Sequence, residues 1–174
     1  ENGIRSFEND IRVENRYLME RFIKGSVEFS GELQDGSNEI INAKLRACEK
    51  IVKLNSRAID IEASRENKLL SIGLSFYEGN ELANEHCYML ADFDREPEKP
   101  ELPLSLLDSE KKLLLALNNY IKKYDPDLIL GWHVIGFDLK FLYEKSLELK
   151  TQLYLARDNK PLVIQENNNK TFCE

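Results

Sequence analysis

The order of apolar and polar positions predicts a small N-terminal unit. Over residues 10–23 the apolar side chains recur at helical spacing, and acidic residues stand near the start, where a helix dipole favours them. Two later runs, which begin at Val27 and Ile40, alternate like strands and are separated by the turn residues Asp-Gly-Ser-Asn. We predict an amphipathic helix and a β-hairpin, together forming a segment over residues 1–55.

The pattern then changes to that of a sheet. Three apolar runs, RAIDIEA, LLSIGLSFY and HCYMLA, are joined by short polar turns, which is typical of an antiparallel meander. Residues 92–108 carry three prolines among acidic residues and are predicted to be an irregular connection. A helix is predicted over residues 109–124, with Ser109 able to cap it.

A strand and a second helix complete the predicted domain. The run LILGW is typical of a strand buried on both faces, and residues 138–149 have the apolar spacing of an amphipathic helix. One weak strand candidate follows at residues 162–165. Residues 56–174 are therefore predicted to form an α/β domain with a mixed sheet and flanking helices.

Composition narrows the class of protein. The chain has 174 residues, 42% of them hydrophobic, and a net charge of −7, so it can bury a core without disulfides or metal. No apolar run approaches the ~20 residues that span a bilayer, and we expect no secretory signal. The three cysteines are widely spaced, and we expect reduced thiols in a cytosolic protein. The acidic balance argues against nucleic-acid binding through charge alone.

The sharpest chemical feature is the pair Asp60 and Glu62 in an otherwise apolar strand. Side chains at positions i and i+2 share one face of a strand, so both carboxylates can hold a common divalent cation. Mg²⁺ prefers such oxygen ligands. The alternative is a half-exposed strand whose solvent-facing side is acidic.

Three residues near the LILGW run are further candidates. Asp138 follows the strand at a position where ligands collect in open α/β sheets, although Asp is also a favourable N-cap. His133 can be a ligand or a hydrogen-bonded structural residue. Trp132 can pack in the core or stack on a nucleobase.

Four stretches resemble a known family in the expected order. They are DIRVENRYLMERFIKGSV, AIDIEAS, YDPDLILGWHVIGFDLKFL and LYLARDN, which together extend over residues 10–159. They resemble the 3′→5′ proofreading exonuclease domain of family B DNA polymerases, and within it the bacterial DNA polymerase II group.

The resemblance implies a ribonuclease H-like fold and a two-metal-ion hydrolysis of the 3′-terminal phosphodiester of single-stranded or frayed DNA. It implies that Asp60, Glu62 and Asp138 are catalytic ligands of Mg²⁺ or Mn²⁺. It places Trp132, His133 and Phe137 at the DNA, with His133 where the family usually has Asn. The implied partners are DNA and the rest of a polymerase chain.

The resemblance also leaves alternatives open. The third motif of the family, a Tyr followed four residues later by an Asp in a final helix, is expected after the last strand, and no Tyr follows Tyr154. We therefore expect a truncated domain, cut from a longer chain, with weakened cation binding and little nuclease activity. The competing interpretations are a non-catalytic module that binds single-stranded DNA or template, and an exonuclease of the same fold that acts on RNA or short oligonucleotides.

Overall fold

A computed structural model of the chain describes residues 7, 10–37, 39–91, 103–167 and 170–173. The chain divides into two compact units, Glu1–Val52 and Lys53–Glu174. The domain boundaries inferred from the sequence, residues 1–55 and 56–174, remain predictions.

The N-terminal unit consists of a helix and an antiparallel hairpin, as the alternation predicts. Helix α1 spans Val13–Glu20, and strands β1 and β2 span Val27–Leu33 and Ile40–Ala47. The helix is shorter than the pattern over residues 10–23. It ends because Phe22 adopts a left-handed backbone conformation with φ of 54°.

The second unit is built on a five-stranded mixed sheet with the strand order β6-β5-β4-β3-β7. The central strands are antiparallel, whereas β6 is parallel to β5 and β7 is parallel to β3. The strands span Asn55–Ala63 (β3), Leu69–Glu78 (β4), Glu81–Leu90 (β5), Leu104–Leu107 (β6) and Leu128–Leu130 (β7).

Two helical segments and a second hairpin accompany this sheet. Helix α2 spans Glu110–Tyr124, and a wide π-helical segment, Ile135–Leu139, continues directly into helix α3, Lys140–Glu148. Strands β8, Ile164–Asn167, and β9, Lys170–Cys173, form the hairpin. Within the described part of the chain, no helix combines the length and apolarity needed to cross a membrane.

The core lies on one face of the sheet. The buried residues Ile59 and Ile61 of β3 and Ile72 of β4 pack with buried leucines of α2 and α3, including Leu117 and Leu142. Burying this apolar surface is the main force that holds the helices on the sheet. The opposite face carries the alternate residues of the same strands.

Three local predictions are wrong. Residues 104–107 form strand β6 rather than an irregular connection, because β5 offers a free edge with which they pair; residues 92–102 lie outside the described residues. Ser109 occupies the N-cap position of α2, but its side chain makes no capping hydrogen bond; its hydroxyl donates to Asp108 Oδ1 at 3.2 Å. Strand β7 is not buried on both faces: Leu128 and Leu130 are 42% and 47% exposed, because only one face of this edge strand meets the core.

One charged side chain is completely enclosed in the core. The guanidinium carbon of Arg57 lies 3.7 Å from the ring centre of Phe76, 4.6 Å from that of Tyr120 and 4.4 Å from that of Tyr124. Its Nη1 donates to the Tyr120 hydroxyl at 3.2 Å, whereas Nε and Nη2 have no hydrogen-bond partner among the described residues. Burial lowers the pKa of Arg57, so the cation is held at a cost in desolvation.

Candidate active site

The acidic pair lies on the face of the sheet that is not covered by helices α2 and α3. Asp60 and Glu62 are exposed, whereas Ile59, which precedes them, and Ile61, which lies between them, are buried in the core. This alternation is what an extended strand produces when one face packs and the other does not. The two carboxylates therefore share one face, as the spacing predicts.

Asp138 reaches the same strand from its edge. Strand β7 pairs only with Ser56, Arg57 and Ala58, so the edge of β3 is unpaired beyond that point. The backbone N–H of Ile61 donates to Asp138 Oδ1 at 3.2 Å, and Asp138 is 1% exposed. The carboxylate thus takes the place of a strand neighbour at the residue that separates Asp60 from Glu62.

The interpretation of Asp138 as an N-cap is wrong. The helical segment begins at Ile135, three residues earlier, and Asp138 is already inside its first turn. Its side chain accepts a hydrogen bond from a strand 77 residues away instead of capping the helix. Asp138 therefore connects the π-helical segment to β3.

The electrostatics show that Asp60 and Asp138 interact. Burial raises the pKa of Asp138; the Ile61 hydrogen bond and the charge of His133 act in the opposite direction, and the charge of Asp60 raises it further. Two carboxylates that repel each other in this way are stabilised by a cation between them. The hydrogen bond from Ile61, which brings the Asp138 carboxylate beside the strand segment of Asp60, makes the pair a candidate cation site.

The donor set fits a hard divalent cation in chemistry but is not assembled into a three-ligand cage. All the candidate ligands are carboxylate oxygens, which Mg²⁺ and Mn²⁺ prefer. Among the residues that the structure describes, no three His, Cys, Asp or Glu side chains come close enough to hold an ion. The roles of Asp60, Glu62 and Asp138 as ligands therefore stay predictions.

Of the three predicted DNA contacts, Trp132 and His133 lie in the loop between β7 and the π-helical segment, and Phe137 lies in that segment. Trp132 is 94% exposed and Phe137 is 49% exposed, so both rings face solvent rather than the core. His133 adopts a left-handed backbone conformation with φ of 58°, and its ring covers Gly136. Exposed aromatic rings can stack on unpaired bases. DNA binding by these residues stays a prediction.

The close approach of this loop to β3 depends on Gly131. A β-carbon at this position would lie 2.7 Å from the backbone oxygen of Ile59, well inside van der Waals contact. On the open face, Asp60, Gly73, Cys87 and Trp132 line part of a cavity of about 360 Å³. Because glycine has no β-carbon, the loop that leads from Gly131 to Asp138 can lie against β3.

Replacement of Gly131 by Ala is expected to lower the free energy of unfolding by about 1–3 kcal/mol, because backbone must move to relieve the overlap. Gly73→Ala in the neighbouring strand is the matched control. Its β-carbon would meet the Asp60 backbone oxygen at 3.7 Å, an ordinary contact, so stability should change by less than about 1 kcal/mol. Urea unfolding of both variants measures the difference, and equal effects would contradict the role of Gly131.

The chain contains a Tyr-x-x-x-Asp spacing at Tyr154 and Asp158, which lies away from this site. The segment of these two residues is not helical. Between them, Arg157 binds Asp125 Oδ1 at 2.7 Å and Asp127 Oδ1 at 2.9 Å. Asp127 Oδ2 accepts the backbone N–H of Asn55 at the start of β3. Asn55 lies roughly 17 Å along the strand from Asp60. The segment is thus fixed at the opposite end of the sheet.

Comparison with known proteins assigns the family. The sequence pattern of the family described as "DNA polymerase family B, exonuclease domain" matches residues 4–172. The chain belongs to this family. DNA polymerase II of Escherichia coli strain K12 is 36% identical over 171 residues, which cover 98% of the chain and 21% of that relative. A DNA polymerase of Pyrococcus horikoshii is 28% identical over 153 residues, covering 84% of the chain and 12% of that relative.

A solved structure supports the fold. The family B DNA polymerase of the hyperthermophilic archaeon Pyrobaculum calidifontis superposes with a TM-score of 0.61 over 93% of this chain and 20% of that chain, at 20% identity. The predicted family and the predicted ribonuclease H-like mixed sheet are both confirmed. The chain spans about a fifth of the length of the polymerase from Escherichia coli.

Proposed function

We propose that the chain contributes the metal-binding part of a 3′→5′ exonuclease site to a family B DNA polymerase. The substrate would be the 3′-terminal phosphodiester of single-stranded or frayed DNA. The observation that carries the proposal is the hydrogen bond from Ile61 to Asp138, which brings a buried carboxylate to the strand segment that bears Asp60 and Glu62. The family assignment supports the interpretation of these carboxylates as part of an exonuclease site.

Asp60, Glu62 and Asp138 would hold Mg²⁺ or Mn²⁺. Divalent cations bound there supply a water of lowered pKa and offset the charge of the leaving oxygen. The protein's own contribution is to hold Asp138 in place through the Ile61 N–H and to present Asp60 on an open face that a DNA end can reach. The exposed ring of Trp132 would stack on a base near the end of the strand.

The net charge of the chain makes the cation necessary for binding as well as for chemistry. At −7 the chain repels phosphate, and the candidate site concentrates two like charges at one point. A bound divalent cation offsets this local negative charge. DNA and the remainder of a polymerase chain are the partners that this proposal requires.

A non-catalytic module that binds single-stranded DNA is the second candidate. It is favoured by the absence of a three-ligand cluster in the ranges 10–37, 39–91 and 103–167. It is also favoured by the exposure of Trp132 and Phe137, which suits base stacking without any chemistry. This module would bind DNA in the absence of divalent cations.

Calorimetric titration with Mn²⁺ separates the two functions. The wild-type chain is expected to bind Mn²⁺, and Asp60→Asn is expected to weaken binding at least about tenfold because a charged ligand is lost. Glu85→Gln removes a carboxylate from strand β5, two strands away from β3 in the sheet, and is the control that should bind like the wild type. Binding that is absent, or equal in all three proteins, would favour the non-catalytic module.

The same samples decide how active the 174-residue chain is. By the resemblance, a further carboxylate and a water-orienting Tyr belong to the complete site, and no Tyr follows Tyr154. We therefore expect little or no hydrolysis of 3′-labelled single-stranded DNA with Mn²⁺. Turnover that Asp60→Asn abolishes would overturn the expected inactivity and would support the assigned site.

A further inference from the structure

Lys145 of helix α3 is buried and fully committed to hydrogen bonds. The residue is 3% exposed, and lysine is rarely buried to this degree without partners. Its Nζ donates to the backbone oxygen of Asn67 at 2.6 Å and to Glu148 Oε2 at 2.8 Å, and it lies 3.3 Å from Glu110 Oε2. These three acceptors match the three donors of an ammonium group.

One contact of Lys145 reaches the turn that follows the acidic strand. Asn67 lies in that turn, between β3 and β4, with a left-handed φ of 63°. Glu110 Oε2, the second partner of the turn, accepts the backbone N–H of Leu69 at 2.8 Å. Lys145 and Glu110 therefore fix the turn at Asn67 and at Leu69, and they tie it to helices α2 and α3.

Asp138 anchors the helical segment to β3, and Lys145 anchors it to the turn that follows β3. They are seven residues apart, which is about two turns or roughly 10 Å along a helix. Asp138 contacts the strand at Ile61, and Lys145 contacts the turn at Asn67. Glu62 lies between these two points, next to a shift in the register of the ladder between Glu62 and Ala63.

We propose that Lys145 is a positioning residue for the candidate cation site. By holding the turn against the helices, it sets the distance between the Asp138 carboxylate and the strand segment that carries Asp60 and Glu62. The inference rests on the proposed function, because it concerns the same site. If Lys145 only stabilised the fold, its replacement would lower the free energy of unfolding. The Ile61 contact and the cation affinity of the folded chain would then stay unchanged.

Four variants separate the two roles. Lys145→Met combined with Glu110→Gln removes the cation without leaving an unpaired, mostly buried carboxylate. Lys145→Arg keeps the charge and is the conservative rescue. Glu148→Gln removes only the outer partner, whose side chain is 56% exposed, and is the matched control. Glu110→Gln alone loosens the hold on Leu69 and serves if the double variant does not fold.

The first readout needs no metal. Amide hydrogen exchange, followed by NMR, reports whether Ile61 still donates to Asp138. In the double variant the Ile61 amide is expected to exchange about tenfold faster than in the wild type, while the amide of Leu74 in central strand β4 reports global opening. Lys145→Arg should restore slow exchange, and Glu148→Gln should leave it unchanged. Glu110→Gln alone should accelerate Ile61 exchange in the same direction.

The second readout is Mn²⁺ binding by calorimetry. Substitutions that disturb the groups supporting metal ligands weaken affinity by about 10–100-fold, so the double variant is expected to bind at least about tenfold more weakly. Lys145→Arg and Glu148→Gln should stay within about twofold of the wild type. A folded double variant with unchanged Ile61 exchange and unchanged affinity would overturn the positioning role alone. A wild-type chain without carboxylate-dependent binding would overturn the proposed function, and the positioning role with it.

Discussion

Replacement of Asp138 by Asn is expected to raise the free energy of unfolding of the cation-free chain by about 1–2 kcal/mol and to abolish cation binding. Asn has nearly the same shape, and its side-chain oxygen can still accept the Ile61 N–H. It removes a buried charge that burial and Asp60 both oppose. The charge of Asp138 would thus lower the free energy of unfolding until a cation is bound.

The pH dependence of this gain follows from the direction of the pKa shift. The pKa of Asp138 is raised in the folded state, whereas an unfolded Asp titrates near about 3.9. The wild-type chain therefore carries the full penalty at neutral pH, loses it as pH falls through the folded pKa, and is free of it below the unfolded pKa. The stability difference between Asp138→Asn and wild type should shrink from pH 7 towards pH ~4.

Urea unfolding of both proteins, with and without Mn²⁺, measures these effects. Mn²⁺ should raise the stability of the wild type and leave Asp138→Asn unchanged, because a ligand that binds only the folded state stabilises it. Asp108→Asn, an exposed Asp paired with Lys112, is the control and should gain no stability. A variant at Asp138 that is less stable than the wild type at pH 7 would show that its charge serves the fold rather than a cation.

Tyr120→Phe is expected to lower the free energy of unfolding by about 1–3 kcal/mol. The Tyr120 hydroxyl accepts the hydrogen bond from Arg57 Nη1 and donates to Asn84 Oδ1 at 3.2 Å. Its loss would add a further unpaired N–H to a guanidinium that already has two unpaired nitrogens in the core. An unsatisfied buried donor carries its full desolvation penalty, which is why a single oxygen has this effect.

Tyr124→Phe is the matched control for this prediction. Its ring also lies beside the Arg57 guanidinium, but its hydroxyl donates only to Asn84 Oδ1, at 3.4 Å. It should therefore lower stability by less than about 1 kcal/mol. Arg57→Met in the Tyr120→Phe background should recover part of the loss, since it removes the buried charge and its unpaired donors. Equal losses in the two Phe variants, by thermal or urea unfolding, would contradict this explanation.

Local pattern was sufficient for the elements that position the acidic pair. The alternation in RAIDIEA predicts which face of β3 is buried, and the structure places Asp60 and Glu62 on the other face. Helix α2 matches its predicted span because its leucine stripe and its end at Asp125-Pro126 are local signals. Such features depend on neighbours in sequence, so a single sequence contains them.

The features that local pattern could not predict depend on distant partners. Strand β6 forms only because the edge of β5 is free, and nothing within residues 92–108 shows that edge. Asp138 has the local signature of a helix cap, but its hydrogen bond goes to Ile61. Arg57 and Lys145 look like ordinary surface cations in sequence, whereas their burial depends on Tyr120 and Asn67, which are 63 and 78 residues away.

We propose that carboxylates from β3 and from the π-helical segment hold one divalent cation. Anomalous diffraction from crystals of the chain soaked with Mn²⁺ tests it most directly, because manganese scatters anomalously and the protein has few other strong scatterers. We predict a peak within about 2.5 Å of carboxylate oxygens of both Asp60 and Asp138. The absence of a peak there at saturating Mn²⁺, or a peak bound by residues elsewhere in the chain, would contradict the account.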